Sequence, residues 1–364
     1  MQPEYEGTSL ETVEWEDGVV KMIDQTRLPQ ELVVLEISDV PTLVAAIRRL
    51  SVRGAPAIGV AGAYGVALAV HLHGAAGPDL DDAISSLRSA RPTAVNLAKM
   101  VDRTSALISE GLERVLEEAH RIRNEELQAS VSMGEYGADL ADELIGEAAA
   151  RTMTICNTGG LATVARGTAL AVIQTLHERG RLEMALPVET RPLLQGGRLT
   201  TWELARMGAP FRLLVDGAGP FLLARGEANL VLAGADRIAR NGDVANKIGT
   251  FSLALASRHA GVPFVVVAPE STIDMYTASG AEIEIEDRGT EEVVSVRGVD
   301  VAPPGAEALN PAFDITPVEF ITAIVTDRRV IRPDQGRSPE DVPLGELRYA
   351  RPPGLLEVPK EVMR

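Results

Sequence analysis

Cysteine, lysine and aromatic residues are scarce in this sequence of 364 residues. A single cysteine, Cys156, excludes an intramolecular disulfide framework and any zinc site built on several cysteines. Aromatic residues make up 4% of the chain and hydrophobic residues 45%, so its cores must consist mainly of Ala, Val, Leu and Ile. The length suffices for two domains with substantial cores.

Positive charge is also in short supply, because the formal net charge is −17. Nucleic acid and anionic membranes are therefore not expected as partners, since binding either requires a basic surface. A bound anion must be held by a local arrangement of groups. Only four lysines occur, Lys21, Lys99, Lys247 and Lys360, so a lysine inside a motif draws attention.

Signals for secretion, membrane insertion and histidine chemistry are not expected either. The N-terminus, "MQPEYEGTSLETVEWEDG", is acidic where a signal peptide would be basic. We expect no apolar run of the roughly 18 residues that a membrane span needs, and hence a soluble cytoplasmic protein. The histidines fall in segments with helical periodicity, away from Gly-rich loops, which disfavours a His-based triad or metal centre; they are His71, His73, His120, His177 and His259.

The first part of the chain predicts a small, mostly helical domain over residues 1–135 with a short β-hairpin. Two β-like runs, "TVEWEDGVVKMID" and "ELVVLEI", lie before residue 40, and Asp17-Gly18 is a hairpin signal. From Asp39 onward the apolar residues recur with helical spacing. Gly74 to Pro78 is predicted to be a loop between helices.

Residues 136–335 predict a Rossmann-like, doubly wound parallel sheet, so that the chain as a whole is of the α/β class. Apolar strand candidates alternate with helical segments in β-α-β order, and the loops after the strands should converge at one sheet edge. The strand candidates are "RTMTICNTGG", "MALPVET", "FRLLVDG", "ANLVLAGAD" and "PFVVVAPE". Polar and apolar residues alternate over residues 281–300, which predicts an exposed β-hairpin. "NPAFDITP" is predicted to be a connection. Residues 336–364 are predicted to be a loosely attached extension.

The stretch "SVRGAPAIGVAGAYG" is a candidate anion site. Gly54 frees the backbone and Pro56 suits a first helical turn, so amides near Ala55 can lie at a helix N-terminus beside Arg53. The alternative is that the Gly and Ala residues serve only close helix packing. No standard nucleotide-binding fingerprint is present.

The stretch "ICNTGGLATVARGTAL" raises the question of what Cys156 does. The cysteine follows a predicted strand and precedes a predicted helix start, where the helix dipole lowers the pKa of a thiol. That position favours a proton carrier or a nucleophile. A buried structural cysteine is the alternative.

Two further polar stretches follow strand candidates. In "ETRPLLQGGRLTTWEL", Glu189, Arg191, Gln195 and Arg198 suit a hydroxylated or phosphorylated ligand, or alternatively an interdomain salt-bridge network. In "GADRIARNGDVANKIGT", Asp236 directly follows an apolar strand, and Lys247 is predicted at a helix start. A plain helix cap is the structural alternative for Asp236.

Taken together, these motifs resemble the methylthioribose-1-phosphate isomerase family, whose relatives include the regulatory subunits of eukaryotic initiation factor 2B. The resemblance runs in order from Ile23 to Pro317, through "IDQTRLP", "VRGAPAIG", "RPTAVNL", "CNTGGLAT", "ETRPLLQGGRLT", "GADRIARNGDVANKIGT", "APESTID" and "NPAFDITP". It implies an isomerase that interconverts an aldose 1-phosphate and a ketose 1-phosphate without a metal or redox cofactor. It also implies a homodimer.

The resemblance assigns site residues by motif. Cys156 and Asp236 match the catalytic pair, with Asp236 in ring opening and Cys156 in hydrogen transfer from C2 to C1. The matching substrate-binding residues are Arg53, Gly54, Ala55, Arg91, Gln195, Asn246 and Lys247. A dry pocket would raise the pKa of Asp236 and so suit it to protonating the ring oxygen.

Two departures from the family pattern bear on the substrate. Ile155 stands where the family usually has His, which suggests a drier pocket for the thiol. Residues 216–220 read Asp-Gly-Ala-Gly-Pro where Asp, Ser or Asn, Met and two Ala are common, which bears on the pocket for the 5-substituent. The alternative to a 5-methylthio or other 5-deoxy sugar as substrate is ribose 1,5-bisphosphate. The alternative to an isomerase is a non-enzymatic regulatory subunit. Retention of Cys156 and Asp236 speaks against the regulatory subunit.

Overall fold

The computed structural model describes residues 11–91 and 94–341, in two compact units. Among the described residues, unit 1 comprises 11–130 and 159–167, and unit 2 comprises 131–158 and 168–341. Residues 159–167 are thus a short insertion of unit 1 within the sequence of unit 2, which no sequence pattern predicted. The domain ranges 1–135 and 136–335 stay predictions, and most of the predicted extension lies outside the described residues.

Unit 1 begins with a three-stranded antiparallel sheet in the order β1-β2-β3. Asp17 and Gly18 both have positive φ in the turn between β1 and β2, as a tight hairpin requires. The strands are β1 (Val13–Glu16), β2 (Val19–Ile23) and β3 (Val34–Ile37). The helices are α1 (Val40–Arg48), α2 (Ala55–His73), α3 (Pro78–Arg88), α4 (Val95–Ser105) and α5 (Leu112–Ile145), whose last residues belong to unit 2. The structure has the expected hairpin and helices, and the loop between α2 and α3 covers residues 74–77, one residue fewer than predicted.

Helix α2 lies at the centre of the unit 1 core. Gly59, Gly62 and Gly65 recur at helical spacing, and a Cβ added at any of them would lie within 3.0 Å of a side-chain atom of α1, α3 or α4. These glycines therefore permit the close packing that was the alternative interpretation of this stretch. By length and composition α2 could also cross a membrane, so the expectation that no such run exists was wrong. In the apolar stretch of α2 that is long enough to cross a membrane, 78% is buried inside the structure, as in a core helix.

Unit 2 is built on a six-stranded sheet in the order β15-β14-β9-β6-β4-β5. All its neighbouring pairs are parallel except β14 with β15, which confirms the predicted α/β class and parallel sheet. The strands are β4 (Ala150–Thr154), β5 (Leu182–Pro187), β6 (Leu230–Ala233), β9 (Phe264–Val267), β14 (Ala323–Val325) and β15 (Val330–Ile331). The helices are α6 (Ala169–Glu178), α7 (Thr201–Arg206), α8 (Ala218–Ala224), α9 (Thr250–Ala260) and α10 (Glu291–Val294).

Smaller strands complete unit 2 and correct three predictions. They are β7 (Arg237–Ala239), β8 (Val244–Lys247), β10 (Ile273–Asp274), β11 (Ser295–Val296), β12 (Val299–Asp300) and β13 (Phe313–Thr316). "NPAFDITP" is not a mere connection, because β13 pairs with β8. Residues 281–300 form a hairpin only at 295–300. "FRLLVDG" makes isolated bridges to residues 185 and 188 at the sheet edge rather than a full strand.

Candidate active site

The strand order places two of the predicted loops at a topological switch point. Numbered by their order along the chain among the five parallel strands, β5, β4, β6, β9 and β14 read 2-1-3-4-5, so the direction in which successive strands are added to the sheet reverses between β4 and β6. Ligands of open α/β sheets bind outside the carboxyl ends of the strands at such a point. The Cys156 loop (residues 155–158) follows β4, and the Asp236 loop (residues 234–236) follows β6.

The backbone of the Asp236 loop lies close to a side chain of the Cys156 loop. A Cβ added at Gly234 would lie 2.9 Å from Cγ2 of Thr158. Gly234 thus lets the end of β6 approach the residues that follow Cys156. The switch-point geometry and this contact bring the loops of the predicted catalytic pair side by side.

Cys156 is half-buried and held by its backbone on both sides. Its N–H donates to Thr190 Oγ1 at 2.9 Å, and its carbonyl accepts from Thr200 Oγ1 at 2.6 Å. Its φ is +66°, in the left-handed region that side chains rarely adopt. The prediction of a helix start next to the thiol was wrong, since α6 begins only at Ala169.

The neighbours of Cys156 differ in surroundings. Ile155 is buried in the hydrophobic core of unit 2, and its Cδ1 lies 3.0 Å from where a Cβ on Gly249 would be. Asn157 is also buried, and its amide donates to Glu203 at 2.6 Å. Cys156 packs against the same core as Ile155, so one side of the thiol's surroundings is apolar.

The β5 loop (residues 188–195) bonds to the Cys156 loop and to Asp216, which precedes α8. The Thr190 and Arg191 N–H groups each donate to Asp216 at 2.7 Å. Gln195 is buried with 1% of its surface exposed. Gly196 has no room for a side chain, since an added Cβ would lie 1.8 Å from the Val188 carbonyl oxygen.

The two arginines of this motif donate to backbone carbonyls. Arg191 reaches Pro192 at 3.0 Å and Val293 at 2.9 Å, and Arg198 Nε donates to Leu193 at 3.1 Å. These bonds fasten the β5 loop and residue 293 together. The guanidinium groups thus help to build the loop.

Asp236 lies between β6 and β7 with an exposed side chain. Its N–H donates to the Ala245 carbonyl at 2.9 Å, next to Asn246 and Lys247 on β8. In the part of the chain that the structure describes, Asp236 is therefore not buried in the predicted dry pocket. It heads strand β7, so the helix-cap alternative is excluded.

Lys247 is not at a helix start, which corrects the prediction. It ends strand β8 with 8% of its surface exposed, and Gly249 separates it from α9. Its Nζ donates to the Ala312 carbonyl at 2.8 Å and lies 4.6 Å from the centroid of the Phe313 ring. Both contacts stabilise a buried ammonium group. Asn246, also buried, donates to Thr250 Oγ1 at 2.9 Å.

The N-terminus of α9 is occupied by a carboxylate that the sequence reasoning missed. Asp314 accepts from the N–H of Gly249 at 2.7 Å and from that of Phe251 at 3.1 Å. Burial raises its pKa to about 6, although these two amides and the nearby Lys247 oppose the shift. The signal was the single aspartate of "NPAFDITP", which is recognisable as a cap only once β13 is known to pair with β8.

The other predicted substrate-binding residues belong to unit 1. Arg53 and Gly54 directly precede α2, which begins at Ala55, as the motif predicted. Gly54 has φ +88°, and a Cβ there would lie 2.1 Å from the carbonyl oxygen of Ala162. Arg91 is half-buried and precedes α4.

Further contacts join the motifs of unit 1. The Ala55 carbonyl accepts from the Asn96 amide at 2.8 Å. Gln25 of "IDQTRLP" donates to the Leu161 carbonyl at 2.7 Å. The "VRGAP" stretch thus bonds with "RPTAVNL", and residues 159–167 are held by both "VRGAP" and "IDQTRLP".

The predicted set is therefore divided between the units. Unit 2 brings Cys156 and Asp236 to adjacent strand ends, and places Asn246 and Lys247 beside Asp236 and Gln195 after β5. Unit 1 groups Arg53, Gly54 and Ala55. Within residues 11–91 and 94–341, no cluster of three or more His, Cys, Asp or Glu side chains is arranged to hold a metal ion.

Comparisons with known proteins agree on one family. The model of the initiation factor 2 subunit family matches residues 51–333. A methylthioribose-1-phosphate isomerase from Anaeromyxobacter sp. (strain K) is 51% identical over 86% of this chain and 91% of its own length.

Two other matches extend this picture. A protein from Nocardia farcinica (strain IFM 10152), described as a probable bifunctional methylthioribose-1-phosphate isomerase/methylthioribulose-1-phosphate dehydratase, is 47% identical over 87% of this chain, which spans only 58% of that protein's length. The crystal structure of 5-methylthioribose 1-phosphate isomerase from Pyrococcus horikoshii OT3 is 40% identical with a TM-score of 0.84, over 90% of this chain and 94% of that one.

Proposed function

Because the chain belongs to the methylthioribose-1-phosphate isomerase family, we propose that it is an aldose–ketose isomerase acting on a 5-substituted ribose 1-phosphate. The product is the corresponding ribulose 1-phosphate. The observation that carries the proposal is the pairing of the Cys156 and Asp236 loops at the switch point of a sheet that matches a solved isomerase of this name. A 5-methylthio group is the substituent that the relatives' names favour.

Asp236 acts first, in opening the ring. The anomeric oxygen carries the phosphate, so the sugar cannot open unaided, and an acid must protonate the ring oxygen as its bond to C1 breaks. A carboxyl group positioned on that oxygen can supply the proton. Since Asp236 is exposed, the bound sugar itself must shield this carboxyl group from water while it donates the proton.

Cys156 acts in the hydrogen transfer that follows. In a proton route the thiolate removes the proton from C2, and the resulting thiol returns it to C1 of the enol as the hydroxyl on C2 loses its own proton. In a hydride route the hydrogen moves from C2 to C1 with its electron pair, and the hydroxyl on C2 loses its proton. Both routes end in a carbonyl at C2, and the apolar side of the Cys156 surroundings favours a reaction shielded from water.

The phosphate and the hydroxyl groups require separate donors. The N-terminus of α2, capped by Gly54 and preceded by Arg53, is suited to the phosphate. The N-terminus of α9 is not, because Asp314 already accepts its amides. The proposed substrate-binding residues remain Arg53, Gly54, Ala55, Arg91, Gln195, Asn246 and Lys247.

Turnover of purified protein with a panel of ribose 1-phosphates tests the proposal. The panel carries 5-methylthio, 5-deoxy, 5-hydroxy and 5-phosphate groups, and ketose formation is followed by NMR. We expect the 5-methylthio sugar to be isomerised with the highest kcat/KM. Preference for the 5-phosphate would instead identify a ribose 1,5-bisphosphate isomerase. No turnover of any member, together with stable binding to initiation-factor subunits, would identify a regulatory protein.

A further inference from the structure

Cys156 is kept in an unfavourable backbone conformation by the two threonines that bond to it. Thr200 Oγ1 donates to its carbonyl, and Thr190 Oγ1 accepts from its N–H. The Thr190 hydroxyl donates its own proton to the Val188 carbonyl at 3.0 Å, so its oxygen acts as an acceptor toward Cys156. The position of the thiol therefore depends on the position of Thr190.

Thr190 is itself strained. Its φ is +65°, a value that a β-branched residue adopts only when its surroundings enforce it, and its side chain is buried. The enforcing group is the Asp216 carboxylate, which follows the sheet-edge segment 211–215. One of its oxygens accepts from Thr190 N–H and the other from Arg191 N–H, both at 2.7 Å.

We propose that Asp216 is a positioning residue for Cys156, acting through Thr190. This inference rests on the proposed function for its catalytic meaning, although the arrangement of the thiol can be measured without it. Asp216 fixes two consecutive backbone amides, those of Thr190 and Arg191, and these position the Thr190 hydroxyl that accepts from the Cys156 N–H.

A carboxylate is required here because each of its two oxygens faces a backbone N–H donor. In Asp216→Asn, one amide oxygen can still accept, but the NH2 group must then face a backbone N–H. Thr190→Val removes the hydroxyl at nearly constant volume, whereas Thr190→Ser retains it. Together these substitutions distinguish the effect of losing the carboxylate from the effect of losing the hydroxyl and from that of altered packing in the loop.

Asp243 offers a matched control. It is half-buried like Asp216, and its two oxygens likewise accept from two backbone N–H groups, those of Gly280 and Val318 at 2.9 Å. Those amides belong to residues 280 and 318, outside both the Cys156 loop and the β5 loop. Asp243→Asn therefore carries the general cost of losing such a carboxylate.

Alkylation of the thiol by iodoacetamide provides the test, since Cys156 is the only cysteine and the reaction reports on it alone. In Asp216→Asn and Thr190→Val we expect about five-fold faster alkylation of the folded protein, the change that loss of one ordinary hydrogen bond allows. Thr190→Ser and Asp243→Asn should stay within about two-fold of the wild type. With substrate, kcat should fall roughly 10- to 100-fold in the first two variants with KM little changed.

The double variant Asp216→Asn/Thr190→Val should behave like either single variant, because both act on one path. Wild-type alkylation in Asp216→Asn and Thr190→Val would overturn the proposal. So would equal acceleration in Asp243→Asn. If Asp216→Asn does not fold, Thr190→Val against Thr190→Ser carries the test. An inactive wild-type protein whose alkylation still responds would refute the isomerase function and leave the positioning role intact.

Discussion

Single residues at the switch point carry the chemistry that we propose. Cys156 is half-buried against an apolar core, and Asp236 is exposed one strand away. These surroundings suit different tasks: a thiol shielded on one side, and a carboxyl group that the substrate itself covers.

Cys156→Ser and Asp236→Asn should each lower kcat by roughly 100-fold or more, the usual contribution of a general acid or base. Neither should unfold the protein, because Ser keeps the size of the side chain and Asp236 is exposed. Steady-state turnover with 5-methylthioribose 1-phosphate measures the loss, and circular dichroism checks the fold. Asp300→Asn, at another exposed aspartate, is the control that should keep wild-type turnover. Near-normal activity in both variants would remove the catalytic pair.

Gly54→Ala should destabilise unit 1 beyond the strain of its positive φ. The new Cβ would lie 2.1 Å from the Ala162 carbonyl oxygen, so the backbone must shift. Gly111 has a similar φ of +92° with open space around it, so Gly111→Ala measures the strain alone, about 1 kcal/mol. Urea unfolding of the two variants should differ by at least about 1 kcal/mol. Equal losses would show that the contact at Ala162 relaxes without cost.

At the level of helices and strands, the sequence predicted types better than boundaries. Alternation and the Asp17-Gly18 turn predicted the hairpin, and the apolar strands predicted most of the parallel sheet. The helix after Cys156 was placed too early, because "GGLATVARG" carries apolar residues at helical spacing although residues 159–167 pack within unit 1. Lys247 was assigned to a helix because strand β8 is short and its partner β13 is distant in sequence.

Asp314, which binds the N-terminus of α9, makes the free energy of unfolding depend on pH. Its pKa is raised to about 6 in the folded state, so the folded protein binds this proton more tightly than the unfolded chain does. The contribution of Asp314 to the free energy of unfolding must therefore fall as pH rises from about 4 to about 6, by roughly 3 kcal/mol. Above that range it stays constant.

Asp314→Asn should remove this slope. The difference in free energy of unfolding between wild type and variant, from urea titrations at pH 4 to 7.5, should favour the wild type most at the acidic end. Asp300→Asn, which changes an exposed carboxylate, should show no comparable trend. A difference between wild type and Asp314→Asn that does not change with pH would contradict the raised pKa.

For the whole molecule, the sequence motifs predicted the family and the sheet class, but not how the chain is divided. Strand order 2-1-3-4-5 depends on crossovers that local periodicity does not encode. The hydrogen bonds that join Asp216 to Thr190 and Thr190 to Cys156 were not predicted either, because they connect positions that are distant in sequence. The contacts between the family motifs could be seen only in the structure.

We expect the protein to be a homodimer, as the family resemblance implies. The sheet edge beyond β5 supports this, since Leu213, Val215 and Phe221 are 48%, 62% and 61% exposed there and on the adjoining α8. Sedimentation equilibrium should give twice the 38.7 kDa mass of one chain, and Val215→Lys should shift the protein toward monomer. Leu72→Lys, at an exposed leucine of α2, should not. A monomeric wild type would refute the prediction.

The isomerase activity itself is tested most directly by one reaction. Purified protein is incubated with 5-methylthioribose 1-phosphate labelled with ¹³C at C1, and the carbon spectrum is recorded over time. We predict that the anomeric signal is replaced by that of a CH2 group bearing phosphate, at a rate that Cys156→Ser lowers roughly 100-fold or more. An anomeric signal that persists with folded wild-type protein would contradict the account.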